Sequence, residues 1–122
     1  MRLFSRVLLA GLAVIVVAGS LVKVRPAPRR RIQAARLEAD ALIASDGTRL
    51  PLAGWQPEGT PDAIVLALHG YGDYRRGFGL AGSWLAARGV ALFAYDQRGF
   101  GESETRGVWP GAEALLEDLA DA

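Results

Sequence analysis

Two uncharged apolar runs of similar length, Ala63 to Leu68 (AIVLAL) and Val90 to Tyr95 (VALFAY), constrain this chain more than any other feature. Runs without polar alternation suit strands covered on both faces of a parallel sheet. Parallel neighbours need a crossover between them. The intervening segment supplies one, because Leu80 to Arg88 reads as a short helix with Leu80, Trp84 and Leu85 on one side, ended by Gly89 as a left-handed cap. Upstream, Leu37 to Ala44 and Arg49 to Trp55 read as strands flanking Ser45-Asp46-Gly47-Thr48, whose central Asp-Gly signals a hairpin. Downstream, a helix is predicted from Trp109-Pro110, with Ala112, Leu115, Leu116 and Leu119 as its apolar stripe and Glu113, Glu117 and Asp121 opposite. The fold class implied is α/β, an antiparallel hairpin followed by a parallel β-α-β unit.

Composition removes several functions. The 122 residues include no Cys and one His, which excludes disulfides, thiolate metal sites and a cysteine nucleophile, and argues against zinc. No cofactor and no metal are expected. Residues 1–36 carry eight basic groups and no acid, whereas residues 37–122 carry six basic groups against thirteen acids. The acidic part argues against nucleic acid as a partner, since phosphate binding needs clustered positive charge.

The basic part contains an apolar run from Val7 to Val22 (VLLAGLAVIVVAGSLV), extended by Val24 past Lys23. Residues 1–24 read as a signal-anchor or transmembrane segment with membrane lipid as its partner, near the lower end of the ~17–25 residues that span hydrocarbon. A cleaved signal peptide is the alternative, with Arg2 and Arg6 as its basic start and Ala18-Gly19-Ser20 as its small-residue site. Residues 25–36, with two prolines and Arg29, Arg30 and Arg31, read as a stiff juxtamembrane linker attracted to anionic headgroups at roughly 1 kcal/mol per basic residue. Six basic groups after the run against two before it favour a cytoplasmic main domain, residues 37–122.

Chemistry gathers in two loops, each just past an apolar strand, where ligands bind in open α/β sheets. The first is His69-Gly70-Tyr71-Gly72-Asp73-Tyr74-Arg75 and the second Asp96-Gln97-Arg98-Gly99-Phe100-Gly101-Glu102-Ser103. Glycines at 70 and 72 clear side chains from around the Tyr71 amide. Asp73, Tyr74 and Arg75 belong to a pocket mouth or a solvated loop. Gly99 and Gly101 permit tight turning, and Asp96 and Arg98 are expected to bond to neighbouring backbone or to each other.

A strand ending in His-Gly-x-Gly, followed one helix and one strand later by Asp-x-Arg-Gly-x-Gly-x-Ser, resembles the α/β-hydrolase family over about Ala41 to Ala122. The similar branch is that of monoacylglycerol lipases and lysophospholipases, grouped with the S33 serine aminopeptidases. The resemblance implies a serine hydrolase attacking an ester or amide carbonyl, with lipid-like acyl esters as the favoured substrates, peptides or small esters as the alternative, and Tyr71 supplying one oxyanion-hole amide. It also implies that His69 is a structural histidine, that Gly70, Gly72, Asp96, Arg98, Gly99, Gly101 and Ser103 are scaffold, and that the catalytic histidine of a complete enzyme lies near its carboxyl terminus. The nucleophile motif Gly-x-Ser-x-Gly does not occur in the 122 residues, and Ser103 sits between two acids that would oppose a developing oxyanion. The expectation is therefore the amino-terminal part of a hydrolase domain, inactive and marginally stable alone, with the strand Val90 to Tyr95 lacking its next neighbour.

Two other readings compete. Gly77-Phe78-Gly79-Leu80-Ala81-Gly82 fits the dinucleotide fingerprint, with Asp96 as the later acid, although seven residues separate Leu68-His69 from it. A membrane-tethered, non-catalytic binding protein is the third.

Overall fold

The structure is a computed structural model and describes residues 30–122. The expected anchor and the first part of the linker lie outside the described residues. Among the described residues, no helix is long and apolar enough to cross a membrane.

A five-stranded mixed sheet, in the order β1-β2-β3-β5-β4, forms the body of the molecule. Its strands are β1 (Arg36–Leu37), β2 (Ala41–Ile43), β3 (Arg49–Trp55), β4 (Ala63–Ala67) and β5 (Val90–Tyr95); α1 (Gly79–Ala86) lies between β4 and β5, and α2 (Ala112–Asp121) follows. As the apolar runs imply, β4 and β5 pair in parallel, from Ala63↔Val90 to Ala67↔Ala94. The Asp46-Gly47 hairpin also forms, joining β2 to β3 with Ile43 opposite Arg49. The Asp46 carboxylate accepts the Thr48 N–H at 3.0 Å, an Asx turn that fixes the reversal. Leu42, Leu50 and Tyr95 make the innermost core, with Leu52 packed against it.

Several expectations need correction. The segment Leu37 to Ala44 is two strands, because the chain reverses through Glu38-Ala39-Asp40 and β1 pairs antiparallel with β2. The acids at this reversal stay at the rim in ion pairs, Glu38 with Arg36 (3.0 Å) and Arg49 (3.1 Å), and Asp40 with Arg49 (2.6 Å). Secondly, β4 is not covered on both faces, as Ile64 is 69% exposed. Among the described residues β1 and β4 are the edge strands, and β5 is flanked by β3 and β4, so β5 does not lack a neighbour. An apolar concavity of about 360 Å³, lined by Leu37, Leu52, Ile64, Leu66, Phe93 and Tyr95 among others, marks one sheet face.

The helices present unexpected faces. In α1 the buried residue is Gly82, which lies against the Trp55 indole, whereas Leu80 and Trp84 are exposed and the Arg88 guanidinium covers the Trp84 ring at 3.7 Å. Close approach to β3 selects the residue without a side chain, and the bulky ones turn outward. Gly89 ends the turn after α1 with φ +81°, as the sequence implies. In α2 the buried residues are Ala114 and Asp118, while Leu116 and Leu119 are exposed. The inward side of α2 carries acids because they have partners there: Asp118 meets Arg98, and Asp121 accepts the Ser45 N–H at 2.8 Å. The helix begins two residues beyond Pro110, because Gly111 takes φ +88°, outside the helical range.

Candidate active site

Both glycine loops follow parallel strands at the same end of the sheet, and three polar networks fix them. In the first, His69 is 6% exposed and bridges the loops: its Nε2 accepts the Gln97 backbone N–H at 2.9 Å, and its Nδ1 lies 2.9 Å from the Gly70 carbonyl oxygen. A backbone N–H can only donate and a carbonyl can only accept, so the imidazole is the neutral Nδ1–H tautomer. Gln97 completes the bridge by donating its side-chain amide to the His69 carbonyl.

The second network centres on Asp96, fully buried at the end of β5. Its carboxylate accepts the backbone N–H of Arg75 (2.7 Å) and of Glu102 (2.7 Å), and pairs with the Arg75 guanidinium. The Arg75 guanidinium also reaches Glu102 at 2.7 Å. Burial opposes the charge on Arg75, yet hydrogen bonding to Glu102 and the attraction of Asp96 and Glu102 outweigh it and raise its pKa. The hydrogen bond from Arg75, then its charge, holds the Glu102 carboxyl below its ordinary value. A Cβ on Gly101 would stand 2.5 Å from Asp96 Oδ1 at a positive φ of 55°, so only glycine fits.

The third network holds the other side of the second loop. Arg98 forms a fork with Asp118, Nε at 3.1 Å and Nη2 at 2.8 Å, and reaches Thr48 Oγ1 (2.7 Å) and Asp46 on the β2–β3 hairpin. Asp96 and Arg98 therefore do not bond to each other; each has its own partner. Ser103 is buried, its Oγ accepting the Gly99 N–H at 3.1 Å alongside Thr105 Oγ1.

Between the loops lies a cleft of about 340 Å³ lined by Tyr71, Gly72, Phe100, Arg106 and Trp109, among others. The rings of Tyr71 and Phe100 meet edge to face with centroids 5.3 Å apart, and Trp109 stands 6.3 Å from both. Tyr71 is 88% exposed, and no hydrogen bond among the described residues engages its backbone N–H. A Cβ at Gly70 or Gly72 would meet nothing within 4 Å among the described residues. Among the described residues, no group of three or more His, Asp or Glu side chains is placed to hold a metal ion.

Asp96, Arg98 and the glycines lie in the two loops, and two features of the site escape the sequence reading. Arg75 is buried rather than solvated or at the mouth, and Phe100 and Trp109 form the aromatic wall. A signal for the wall was present in the aromatic between Gly99 and Gly101. The dinucleotide fingerprint does not make a phosphate loop. Gly82 is packed inside α1 against Trp55, and a Cβ on Gly77 would lie 3.2 Å from the Asp73 carboxylate, a group that repels phosphate.

The pattern of the serine aminopeptidase S33 family matches residues 59–122, more than half of the chain and both loops. The chain belongs to this family of α/β hydrolases. It is 39% identical over 93 residues to the uncharacterised protein YfhR of Salmonella typhimurium, covering 72% of this chain and 30% of that protein. It is 33% identical over 79 residues to the monoglyceride lipase of Rattus norvegicus, covering 64% of this chain and 26% of the lipase. A solved lipase in its open form superposes with a TM-score of 0.56 at 28% identity, covering 70% of this chain and 29% of that one. The chain thus spans less than a third of the length of either relative.

Proposed function

We propose that the protein is a serine hydrolase of lipid-like acyl esters, of the monoacylglycerol or lysophospholipid kind, working at a membrane to which residues 1–24 attach it. The observation that carries this reading is the Tyr71 amide, unengaged beside an aromatic cleft in a loop whose two glycines have open space around them. When a serine attacks the ester carbonyl, negative charge develops on its oxygen. A backbone N–H already aimed at that position stabilises the transition state more than the neutral ester. The membrane partner is supported by the apolar run Val7 to Val22 and the basic residues that follow it.

Neither His69 nor Ser103 is placed to act as base or nucleophile. Both ring nitrogens of His69 are committed to hydrogen bonds, so it has no free position for proton transfer. The Ser103 hydroxyl is buried and holds the second loop together.

The test is hydrolysis of a monoacylglycerol and a lysophospholipid by the native gene product, compared with Tyr71→Ala and Tyr71→Pro. Proline removes the N–H and alanine keeps it. Loss of one oxyanion donor is expected to lower kcat by about 10²–10³-fold in Tyr71→Pro alone. Equal kcat in the two variants, or no ester hydrolysis by the native protein, refutes the reading.

A further inference from the structure

The backbone from His69 to Arg75 is held at its two ends. At the first, the His69 ring and carbonyl are bonded to Gln97. At the second, Arg75 gives both its backbone N–H and its guanidinium to Asp96, and the guanidinium continues to Glu102. Between them the hydrogen bonds run only within the loop, with the Asp73 N–H donating to the Gly70 carbonyl at 3.2 Å, and the Tyr71 ring rests against Phe100 and Trp109 while its amide stays unengaged. The direction of the Tyr71 N–H therefore depends on where the two ends are fixed as well as on the seat of its ring.

The Arg75 end is built in a manner ill suited to stability alone. Its side chain is 8% exposed, and Nε has no hydrogen-bond partner among the described residues. A buried charge network with an orphaned donor holds a fold no better than apolar residues of the same volume. What the guanidinium fork supplies is geometry, because its planar donors bridge two carboxylates at fixed angles as an ammonium does not.

The geometry points to Arg75 as a positioning residue for ester hydrolysis: by bridging Asp96 and Glu102 it fixes the far end of the oxyanion loop and so aims the Tyr71 amide. This rests on the reading of Tyr71 as an oxyanion donor. A misplacement of about 1 Å at such a donor costs up to about 10²-fold in rate. The effect falls on kcat, because the amide acts on charge that develops only in the transition state.

The experiment is a double-mutant cycle on the native gene product with Arg75→Lys, Tyr71→Pro and the two combined, reading kcat and KM separately. Arg75→Lys is expected to lower kcat by about 10–10²-fold with KM unchanged, and to cause no further loss once Tyr71→Pro has removed the amide. Native kcat in Tyr71→Pro sinks the oxyanion reading itself. A low kcat in Tyr71→Pro with native kcat in Arg75→Lys, or losses that multiply in the double variant, overturns the positioning role alone. If Arg75→Lys abolishes cooperative melting, Glu102→Gln takes its place, since Glu102 is 60% exposed and glutamine keeps its size without its charge. A fall in kcat at constant KM and melting temperature then supports the proposal, and native kcat overturns it.

Discussion

Replacing Gly82 by alanine sets two effects of opposite sign against each other inside α1. Alanine gains about 1 kcal/mol of helix propensity over glycine at an interior position. Against this, the added Cβ would stand 2.5 Å from Trp55 Cγ and 2.6 Å from Trp55 Cε3. Carbon atoms in good contact lie about 3.5–4.0 Å apart, so helix and indole must separate by roughly 1 Å. The atoms struck are at the root of the ring, beside the β3 backbone, and they do not swing aside as the tip of a flexible chain would. Overpacking of this kind costs about 1–3 kcal/mol, and with a gap of this size its upper half applies. The expected net change is a destabilisation of about 1–2 kcal/mol. Gly79, three residues earlier, is the internal control: its Cβ would lie 3.9 Å from Trp55 Cζ2, an ordinary contact, and its φ of −54° is helical. Gly79→Ala is therefore expected to stabilise by up to about 1 kcal/mol. Urea denaturation of the native gene product followed by circular dichroism reads both signs. A Gly82→Ala midpoint at or above that of Gly79→Ala would refute close packing of α1 on Trp55.

Asp118→Ala removes the carboxylate opposite Arg98, which is 11% exposed and left with Asp46 and Thr48. The expected loss is about 3 kcal/mol by urea denaturation, the lower end for a broken buried pair because Asp46 remains, and a loss no larger than that of a surface alanine substitution contradicts the burial of the pair. Burial, then the charge of Asp118, pushes the Tyr95 phenol up to about 12. An unfolded chain ionises its tyrosines near pH 10 while the native state keeps this proton, so the contribution is complete below pH ~10 and is lost as pH rises toward ~12. Tyr95→Phe should remove that portion of the alkaline decline, and an unchanged pH profile of stability speaks against the buried phenol. Gly70→Ala should leave the melting temperature unchanged, as its Cβ enters open space at an ordinary backbone conformation. It should nevertheless lower kcat by crowding the substrate side of the Tyr71 amide, and native kcat in a normally folded Gly70→Ala protein counts against that placement.

The parallel pair was legible because buried strand interiors are chosen for continuous apolar character, and the hairpin because Asp46-Gly47 acts within its own turn. Strand order was not legible. Nothing in β5 itself states that β3 will occupy one side and β4 the other, so the free edge was assigned to the wrong strand. The helix faces escaped for a related reason. Periodicity in α2 pointed to Leu116 and Leu119, but the inward face is decided by Arg98, twenty residues away, and by Ser45, seventy-six residues from Asp121. An amphipathic pattern records apolar spacing and carries no record of distant ion partners.

At the site, the glycines divide into two kinds according to what surrounds them. Gly101 is required by the Asp96 carboxylate, and Gly99 by the Val108 carbonyl against which any Cβ would collide. The second loop is held partly within itself: Asp96 receives the Glu102 amide and Ser103 the Gly99 amide, short-range contacts that the Asp-x-Arg-Gly-x-Gly-x-Ser pattern records, while Arg98 is held from outside by Asp118. That is why it could be read from sequence, and why Arg75, whose partner lies twenty-one residues on, could not. Gly70 and Gly72 are different, because no atom of the described chain lies where their side chains would be. For Gly72 a positive φ of 76° gives a conformational reason. Gly70 has neither that reason nor a packing one, and the open space beside it is where the proposed oxyanion reading of Tyr71 puts the substrate.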